Sequence, residues 1–477
     1  MKTVCLALVA LLSAQWRPDE RVLISDFSYI DAVAASPWLV FAATHHGLLI
    51  YDRVALAWKL PVTTLDGYPT ARVRTAVADQ TGNAVWLNIG GFDGWVRYDV
   101  DARMWTRGAP PPPGQAQGLT VEGALARAPA ADAIRALILT DPRLRSYQFT
   151  AAASTPDRPE VFFGTNGIGL VRVDAQTGAW EALPYGLIAT GIGAIAPAAG
   201  GIWAATSAHH DVAERHGLTW IAADLSATRT SEGGGAALGF TFFQARRMIT
   251  ARGALWLATE EGVLRIDPNT LRSRHFDVER PTSLAPAPDG VWVGTTSGLF
   301  VITDDDRVEP VGPHELIAMC ALAVGDTLWV GTLKGVRRLL PGEDVPTEPA
   351  ELADRPSLRV MIIALTHMRD TIVMVTEREL AWRTTTPGGG GASWSRLPLP
   401  PALGLPNVLA PDPDGGVWIG GSQGLALVEL GVPRIRTLTV PVTLPDRVRD
   451  LLADDTYLWV ATDSGLVRFN RRAALAR

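Results

Sequence analysis

A short apolar run that ends near Thr-x-x-Gly recurs ten times along this chain. Clean copies read VWVGTTSGL at 291–299, LWVGTLKGV at 328–336, VWIGGSQGL at 417–425 and LWVATDSGL at 458–466. Most copies follow one another after about 40 residues, a period that is typical of the blades of a β-propeller. We therefore predict an all-β protein of about ten four-stranded blades.

The parts of each copy have a mechanical interpretation. The apolar run fits a strand whose pleated surface packs against the neighbouring blade. The Thr-x-x-Gly segment predicts a hairpin turn, in which Gly takes a backbone angle that other residues reach only with strain. A second, alternating strand follows, as in GLVRVD (169–174). An aromatic residue usually stands three positions before the Thr, and a stripe repeated in this way predicts a core. These aromatic anchors are Phe41, Trp86, Phe162, Trp203, Trp256, Trp292, Trp329, Trp418 and Trp459.

The two ends of the repeat region suggest how the blades close. The last unit supplies only three strands before it ends near residue 472, and the segment ERVLISDF (20–27) resembles a fourth, outermost strand. Pairing the two would hide two strand edges. One ring of ten blades over 20–472 is the simplest arrangement. Two smaller propellers are the alternative, because repeats do not determine how many blades share one axis.

The composition limits the partners and the compartment. The formal net charge is −6 over 477 residues, and no basic stripe runs through the repeats, so we expect no nucleic-acid partner. No apolar stretch is long enough to span a membrane. Residues 1–14, MKTVCLALVALLSA, resemble a secretory signal peptide, which predicts export to the periplasm or the extracellular space. Cys320 lies in an apolar run and is interpreted as a buried structural residue.

The copies around Trp256, Trp292, Trp329, Trp418 and Trp459 resemble the two-component regulator propeller repeats. That family occurs in the periplasmic sensor regions of bacterial hybrid histidine kinases and in exported proteins without a kinase. The resemblance implies an exported, sensor-like propeller that binds a ligand or partner. The repeat motif itself carries no functional residue of that family. The printed sequence shows no kinase or immunoglobulin-like pattern, so the resemblance implies binding by the propeller and leaves a role in signalling open.

One face of the predicted disc carries the irregular segments. In a four-stranded meander, the turn between strands two and three lies on the same face as the connection to the next blade. An insertion at 108–145 therefore belongs on this face, and it begins with Pro110–Pro113 and continues with Ile134, Leu137 and Ile138 at helical spacing. Two turns on this face are rich in histidine. The candidate ligand-binding residues there are His45, His46, His209, His210, Asp211, Glu214 and His216.

These features favour an exported, non-catalytic propeller that binds a small molecule, a glycan or a protein through loops on a rigid scaffold. A structural scaffold of an envelope or secreted assembly is one alternative. A propeller lyase or hydrolase that uses loop histidines and acidic residues is another. The sequence contains no nucleophile motif, and we assign no catalytic residue. The histidine spacing matches no compact zinc signature, so no cofactor is predicted and a metal ion remains an alternative. Deletion of 110–145 is expected to leave the ring folded.

Overall fold

The computed structural model describes residues 16–90, 94–108, 110–117, 119–207, 215–234, 239–352, 355–385, 392–430 and 434–476. Its strands form ten antiparallel sheets, which we number as blades 1–10 in chain order. In each blade the first three strands pair in chain order, and the first strands of neighbouring blades contact one another, so they are the inner strands. The prediction of an all-β propeller with ten blade units is confirmed.

Blades 1–3 each contain one repeat copy, and the first two carry an additional short strand. Val62–Thr63 pairs with the third strand of blade 1, and Ala116–Gln117 pairs with the first strand of blade 2. The main strands are, in blade 1, Ile30–Ala35, Leu39–Thr44, Gly47–Asp52 and Ala57–Trp58; in blade 2, Val73–Ala78, Ala84–Ile89, Trp95–Asp99 and Met104–Gly108; in blade 3, Phe149–Ser154, Glu160–Thr165, Leu170–Asp174 and Trp180–Leu183.

Blades 4–10 repeat the same meander. The strands are, in blade 4, Ile192–Ala198, Gly201–Thr206, Gly217–Ala222 and Thr228–Glu232; in blade 5, Ala245–Ala251, Ala254–Thr259, Gly262–Ile266 and Ser273–Phe276; in blade 6, Pro281–Ala287, Gly290–Thr295, Gly298–Thr303 and Val308–Val311; in blade 7, Ala318–Val324, Thr327–Thr332 and Gly335–Leu339; in blade 8, Ala364–Met368, Thr371–Val375, Glu379–Thr385 and Ala392–Pro398; in blade 9, Pro406–Pro411, Gly416–Gly421, Gly424–Glu429 and Arg434–Thr439; in blade 10, Val448–Ala453, Tyr457–Thr462, Gly465–Asn470 and, from the other end of the chain, Arg21–Ile24.

The short helices lie outside the blades. Three belong to the insertion and one follows the last strand of blade 10. The α-helices are Val121–Arg127, Pro129–Ala133, Arg135–Ile138 and Arg471–Ala476, and the 3-10 helices are Thr64–Asp66, Ala350–Leu352, Pro356–Leu358 and Pro401–Leu403. Within the part of the chain that the structure describes, no helix has the length and apolar character needed to cross a bilayer.

Blade 10 is completed by the N-terminal strand, as the sequence predicts. Arg21–Ile24 pairs antiparallel with Gly465–Asn470, with Val22 opposite Arg468. The C-terminal helix is then held by a buried ion pair between Arg471 Nη1 and Asp412 Oδ1 of blade 9, at 2.7 Å. Both ends of the described chain are thus fastened to neighbouring blades.

The ring itself contains seven blades, not ten. The backbone N–H of Ile195 in blade 4 donates to Asp450 Oδ2 in blade 10 at 2.9 Å. Arg247 Nη1 in blade 5 pairs with Asp450 Oδ1 at 2.9 Å. These bonds join the inner strands of blades 10, 4 and 5, so blades 4–10 close on themselves. The preferred single ring of ten is therefore wrong, because the repeat period specifies a blade but not which blade becomes its neighbour.

Blades 1–3 form a separate stack in the spatial order 3, 1, 2. One face of blade 1 packs through Phe41 on Val85 and Leu87 of blade 2. Its opposite face packs through Val33 against Phe162 of blade 3. The outer face of blade 3 is covered by the insertion helices. The alternative of two smaller propellers is right that the blades divide into two groups, but blades 1–3 form a stack and not a second propeller.

The stack docks on the ring beside blades 4 and 10. Phe27, which follows the N-terminal strand, stacks on Tyr185 with ring centroids 6.3 Å apart. The hydroxyl of Tyr185 donates to the carbonyl oxygen of Leu225 in blade 4 at 2.9 Å. One continuous apolar cluster includes Phe162 of blade 3 and Trp459 of blade 10. The stack and the ring are therefore joined by one common hydrophobic core.

Candidate functional site

A cleft of about 640 Å³ opens where the stack meets the ring. The turns of blades 1, 3 and 4, the end of the insertion and the segment after the N-terminal strand all contribute to it. We call it the junction cleft, and it is lined by Asp26, Ser28, Tyr29, His45, His46, Arg145, Ser146, Tyr147, Asn166, Gly167, Ile188, Ala189, Thr190 and Arg215.

His45 is held in a defined orientation on one wall of the cleft. Its ring stacks on Tyr29 with centroids 4.1 Å apart and planes 19° from parallel. Its Nε2 lies 3.3 Å from Oδ1 of Asp31, whose side chain is fully buried. Arg72 Nε donates to the same carboxylate oxygen at 2.7 Å. With Nε2 directed to Asp31, the remaining edge of the half-exposed imidazole is available to a ligand.

His46 follows directly in the same turn. Its imidazole is accessible to solvent but lies in the crowded cleft, and partial burial lowers its pKa below the ordinary value. The charge of Asp26 acts in the opposite direction, and His45 lowers the pKa of His46 further. His46 is therefore neutral at pH 7 and can either donate or accept one hydrogen bond through its ring.

Arg215 and Asp26 form the opposing wall. Arg215 Nη2 lies 3.5 Å from Asp26 Oδ1, and each side chain is one-quarter exposed. The same Asp26 oxygen accepts a hydrogen bond from the backbone N–H of Ser28 at 2.9 Å. The long Arg215–Asp26 distance leaves donors of the guanidinium and the second carboxylate oxygen for a bound molecule.

The end of the insertion reaches the cleft and is fastened to blade 4 there. Arg145 makes a bidentate pair with Glu232, with Nη1–Oε1 2.8 Å and Nη2–Oε2 2.6 Å. Its Nε donates to Asp141 Oδ2 at 2.7 Å. The hydrogen bonds that Arg145 donates to Glu232 raise the pKa of Arg145, so this guanidinium is charged at every physiological pH.

Tyr147 provides an aromatic platform beside this pair. A Cβ atom at Gly167 would lie 2.2 Å from Cε1 of Tyr147, so the ring rests directly on the glycine backbone. The hydroxyl of Tyr147 donates to Asp141 Oδ2 at 3.1 Å. On the same strand pair, the Gln148 N–H donates to Asn166 Oδ1 at 2.7 Å. The cleft thus combines two flat aromatic surfaces with amide, hydroxyl, imidazole and guanidinium groups.

The structure places only some of the predicted site residues in this cleft. His45 and His46 line it. His216 is buried, and its ring contacts Phe243 at 4.5 Å near blade 5, away from the cleft lining. The predicted residues that lie outside the described part of the chain are His209, His210, Asp211 and Glu214.

The residues that the sequence did not predict outnumber those that it did. Tyr29, Arg145, Tyr147, Asn166 and Arg215 come from four separate segments that meet only in the folded chain. Arg215 stands in the expanded turn of blade 4, and Arg145 ends the insertion, so both were close to predicted segments. Nothing in the sequence indicates that Tyr29 would stack on His45.

The insertion covers the outer face of blade 3. Its helices pack on blade 3, where Ile138 and Ala131 join Phe163 in one buried cluster. Of the three apolar residues at helical spacing, Ile138 is buried and Leu137 is 64% exposed. Deleting 110–145 would expose this cluster, so the expectation that the fold survives the deletion is not supported. Point substitutions in the cleft are the better test.

The aromatic anchors lie in the core. Phe41, Phe162, Trp418 and Trp459 are among the largest fully buried side chains. Trp86, Trp203, Trp256 and Trp329 are also buried, and Trp292 is half-buried. An arginine in the next strand covers several of them, as Arg265 does over Trp256 at 5.7 Å. These side chains lie between the sheets, and none of them lines the junction cleft.

Metal binding and cysteine reactivity are the two remaining questions about the chemistry of this chain. Among the described residues, no cluster of three or more His, Cys, Asp or Glu side chains is placed to hold a metal ion. Cys320 is buried, and burial raises the pKa of its thiol to about 12. Such a thiol stays protonated at neutral pH, which agrees with its interpretation as a structural residue.

No protein-family model matches the chain, and no curated protein matches it in sequence. Among solved structures, it is similar to the extracellular domain of BT4673 from B. thetaiotaomicron, described as a hybrid two component system, with 12% identity and a TM-score of 0.46 over 92% of this chain and 69% of that one. A second structure of this domain, described as part of a one component system, has 11% identity and a TM-score of 0.46 over 92% of this chain and 70% of that one.

A virginiamycin B lyase from Staphylococcus aureus, in a catalytically inactive form, is similar over 59% of this chain and 95% of its own, with 14% identity and a TM-score of 0.46. At these identities the likenesses concern the propeller fold and not a ligand or a reaction.

Proposed function

We propose that this protein is an exported, non-catalytic propeller of the two-component regulator type, and that it binds a small molecule, a glycan or a protein segment in the junction cleft. The repeat motif supports the family, and the N-terminal segment 1–14 supports export. The observation that carries the site is the convergence of six chain segments on one concave surface with two aromatic platforms. Concave, partly apolar surfaces with a few placed polar groups are typical of binding sites.

The polar groups of the cleft favour binding over catalysis. Arg145 is committed to Glu232 and Asp141, and Tyr147 donates to Asp141. These bonds hold the side chains in place without activating them. His46 and the Asp26–Arg215 pair retain free hydrogen-bonding capacity, which suits recognition of a neutral or zwitterionic polar partner.

A hydrolase or lyase is a second candidate because of one observation. His45 Nε2 lies 3.3 Å from the buried carboxylate of Asp31, an arrangement that can orient an imidazole as a general base. If His45 is catalytic, His45→Gln should abolish turnover of any substrate that the cleft binds while leaving its affinity unchanged. Unchanged turnover would remove this candidate.

The binding proposal is tested by screening a panel of oligosaccharides, short peptides and small metabolites for a rise in the melting temperature of the purified protein. Any hit is then titrated by calorimetry against the wild type and against Tyr147→Ala and Arg215→Ala. Both variants should weaken binding at least tenfold, equivalent to about 1.4 kcal/mol.

Trp38→Ala is the matched control, because Trp38 is 55% exposed and does not line the cleft. It should bind like the wild type. A hit that binds Tyr147→Ala and Arg215→Ala with wild-type affinity would show that the site lies elsewhere.

A further inference from the structure

A second concave surface lies on the opposite face of the ring, between blades 4 and 5. Its volume is about 630 Å³, and it is formed near the turn between strands one and two of blade 4 and the turn between strands three and four of blade 5. We call it the indole groove. Trp203 and Trp220 stand opposite each other on adjacent strands, and both line it. Arg229 on the outer strand lies over Trp220 at 5.2 Å.

In the next groove around the ring, charged side chains close the corresponding gap. Between blades 5 and 6, Arg252 bonds to the Pro288 carbonyl at 3.0 Å and pairs with Asp304. Arg265 pairs with Asp306 at 2.6 Å. Charged side chains thus bridge the two blades across this face.

The indole groove lacks these bridging residues. We align blade 4 with blade 5, and blade 5 with blade 6, by their strands. Ala199 then stands at the position of Arg252, Trp220 at that of Arg265, and Pro268 at that of Asp304. Three charged groups that bridge blades 5 and 6, Arg252, Arg265 and Asp304, are thus replaced by apolar residues in the indole groove. The result is a surface with half-exposed Trp220 at its centre.

The polar groups around the indole groove select for a particular ligand backbone. Arg229 and Asn269 offer donors, and none of the described residues that line the groove carries a carboxylate. A segment that presents carbonyl oxygens but no N–H groups fits such a lining. A proline tract has this character, because proline lacks the backbone N–H and holds the extended polyproline conformation without internal hydrogen bonds.

The chain itself displays such a tract. Pro110, Pro112 and Pro113 are exposed at the start of the insertion, and Pro111 is half-exposed. A turn begins at Pro113, where the Gln115 N–H donates to the Pro112 carbonyl at 3.4 Å. The three prolines before it would span about 9 Å in the polyproline conformation. Proline-rich segments commonly dock in aromatic-lined grooves, since they lose little conformational entropy on binding.

We propose that the Pro110–Pro113 tract of one molecule docks in the indole groove of a second copy of this chain. The contact is heterologous, since the tract and the groove are different surfaces. Head-to-tail contacts of this kind extend into open chains unless the rotation closes a ring. The protein therefore self-associates as its concentration rises, independently of any ligand in the junction cleft.

The test uses two complementary variants in sedimentation velocity across a concentration series into the high micromolar range. Trp220→Arg places in the groove the residue that blade 5 carries at the equivalent position, Arg265, so it should fold. The second variant replaces Pro111, Pro112 and Pro113 with Ser. The wild type should grow beyond a dimer, and each variant alone should stay monomeric.

An equimolar mixture of the two variants is the decisive sample. Trp220→Arg keeps the tract and the proline variant keeps the groove, so the mixture should form dimers and nothing larger. Trp38→Ala should associate like the wild type, and circular dichroism melts check that every variant is folded. A monomeric wild type over the whole series, or a Trp220→Arg protein that associates like the wild type, would overturn the proposal.

Discussion

At the level of single residues, the threonine of the repeated turn stabilises that turn through two hydrogen bonds of its hydroxyl. Thr259 is fully buried, and its hydroxyl donates to the Gly262 carbonyl at 3.0 Å and accepts from the Glu261 N–H at 3.2 Å. Gly262 has φ of +135°, and a Cβ there would lie 2.5 Å from the Phe276 carbonyl oxygen. The glycine therefore makes room for the fourth strand, while the threonine closes the turn.

Thr259→Val tests this role of the hydroxyl. We expect the free energy of unfolding to fall by about 1–3 kcal/mol, because the buried Gly262 carbonyl loses its donor. Thr259→Ser keeps the hydroxyl and should retain most of the stability. Urea unfolding followed by tryptophan fluorescence measures both, and equal losses in the two variants would contradict the explanation.

His46 makes a prediction about pH. Burial lowers its pKa in the folded state below the ordinary value of 6.5, so the unfolded chain binds its proton more readily as the pH falls. The stability linked to neutral His46 is present above pH 6.5 and is lost below it. Between pH 7 and pH 5, the wild type should lose unfolding free energy more steeply than His46→Gln, and parallel curves would contradict this.

At the level of strands, β-bulges provide the links between blades. Nine of the ten innermost strands in the described chain have a register shift near their start. In several blades the side chain at this shift bonds to the neighbouring blade. Thr150 donates to the Ile30 carbonyl at 2.5 Å, and Asn407 donates to the Val448 carbonyl at 3.2 Å. Bulges that redirect a side chain in this way are a known device of curved sheets.

Asn407→Ala should weaken the contact between blades 9 and 10. Its amide also donates to the Arg449 carbonyl at 2.9 Å, so two backbone acceptors lose a partner. We expect a loss of about 1–2 kcal/mol in unfolding free energy. Met319→Ala is the control at the equivalent bulge of blade 7, because it removes no hydrogen-bond donor. Thermal and urea unfolding should separate the two variants, and equal losses would contradict the role of the amide.

At the level of the whole molecule, one buried carboxylate links the last blade of the ring, blade 10, to its first two, blades 4 and 5. Asp450 accepts from the Ile195 N–H and from Arg247, which belong to blades 4 and 5. Burial raises the pKa of Asp450, and Arg247 acts against this shift. The ion pair therefore compensates for a charge that would be costly in isolation.

Asp450→Ala should destabilise the ring by about 3–5 kcal/mol, since it leaves Arg247 without its carboxylate and the Ile195 amide without an acceptor. Asp305→Ala breaks an exposed ion pair with Arg307, where the carboxylate is 61% exposed, and should leave the free energy of unfolding close to that of the wild type. Chemical unfolding of both variants makes the comparison. Similar losses would show that Asp450 does not secure the closure.

Local features of the blades were predictable because each blade is encoded within about 40 consecutive residues. The anchors, the hairpin turns and the pairing of Arg21–Ile24 with the last blade all follow from patterns of short period or from an unpaired edge. The candidate site was predictable only for His45 and His46, which stand in a repeat turn. Tyr29, Tyr147 and Arg215 have no such pattern.

The sequence by itself determined that the chain forms ten propeller blades and which residues form their cores. Only the tertiary structure decided that seven blades close a ring while three stack beside it. Strand and turn patterns act between neighbours in the chain, whereas ring closure depends on contacts such as that of Ile195 with Asp450, 255 residues apart. The junction cleft exists because of that division, so its chemistry could not be derived from the repeats.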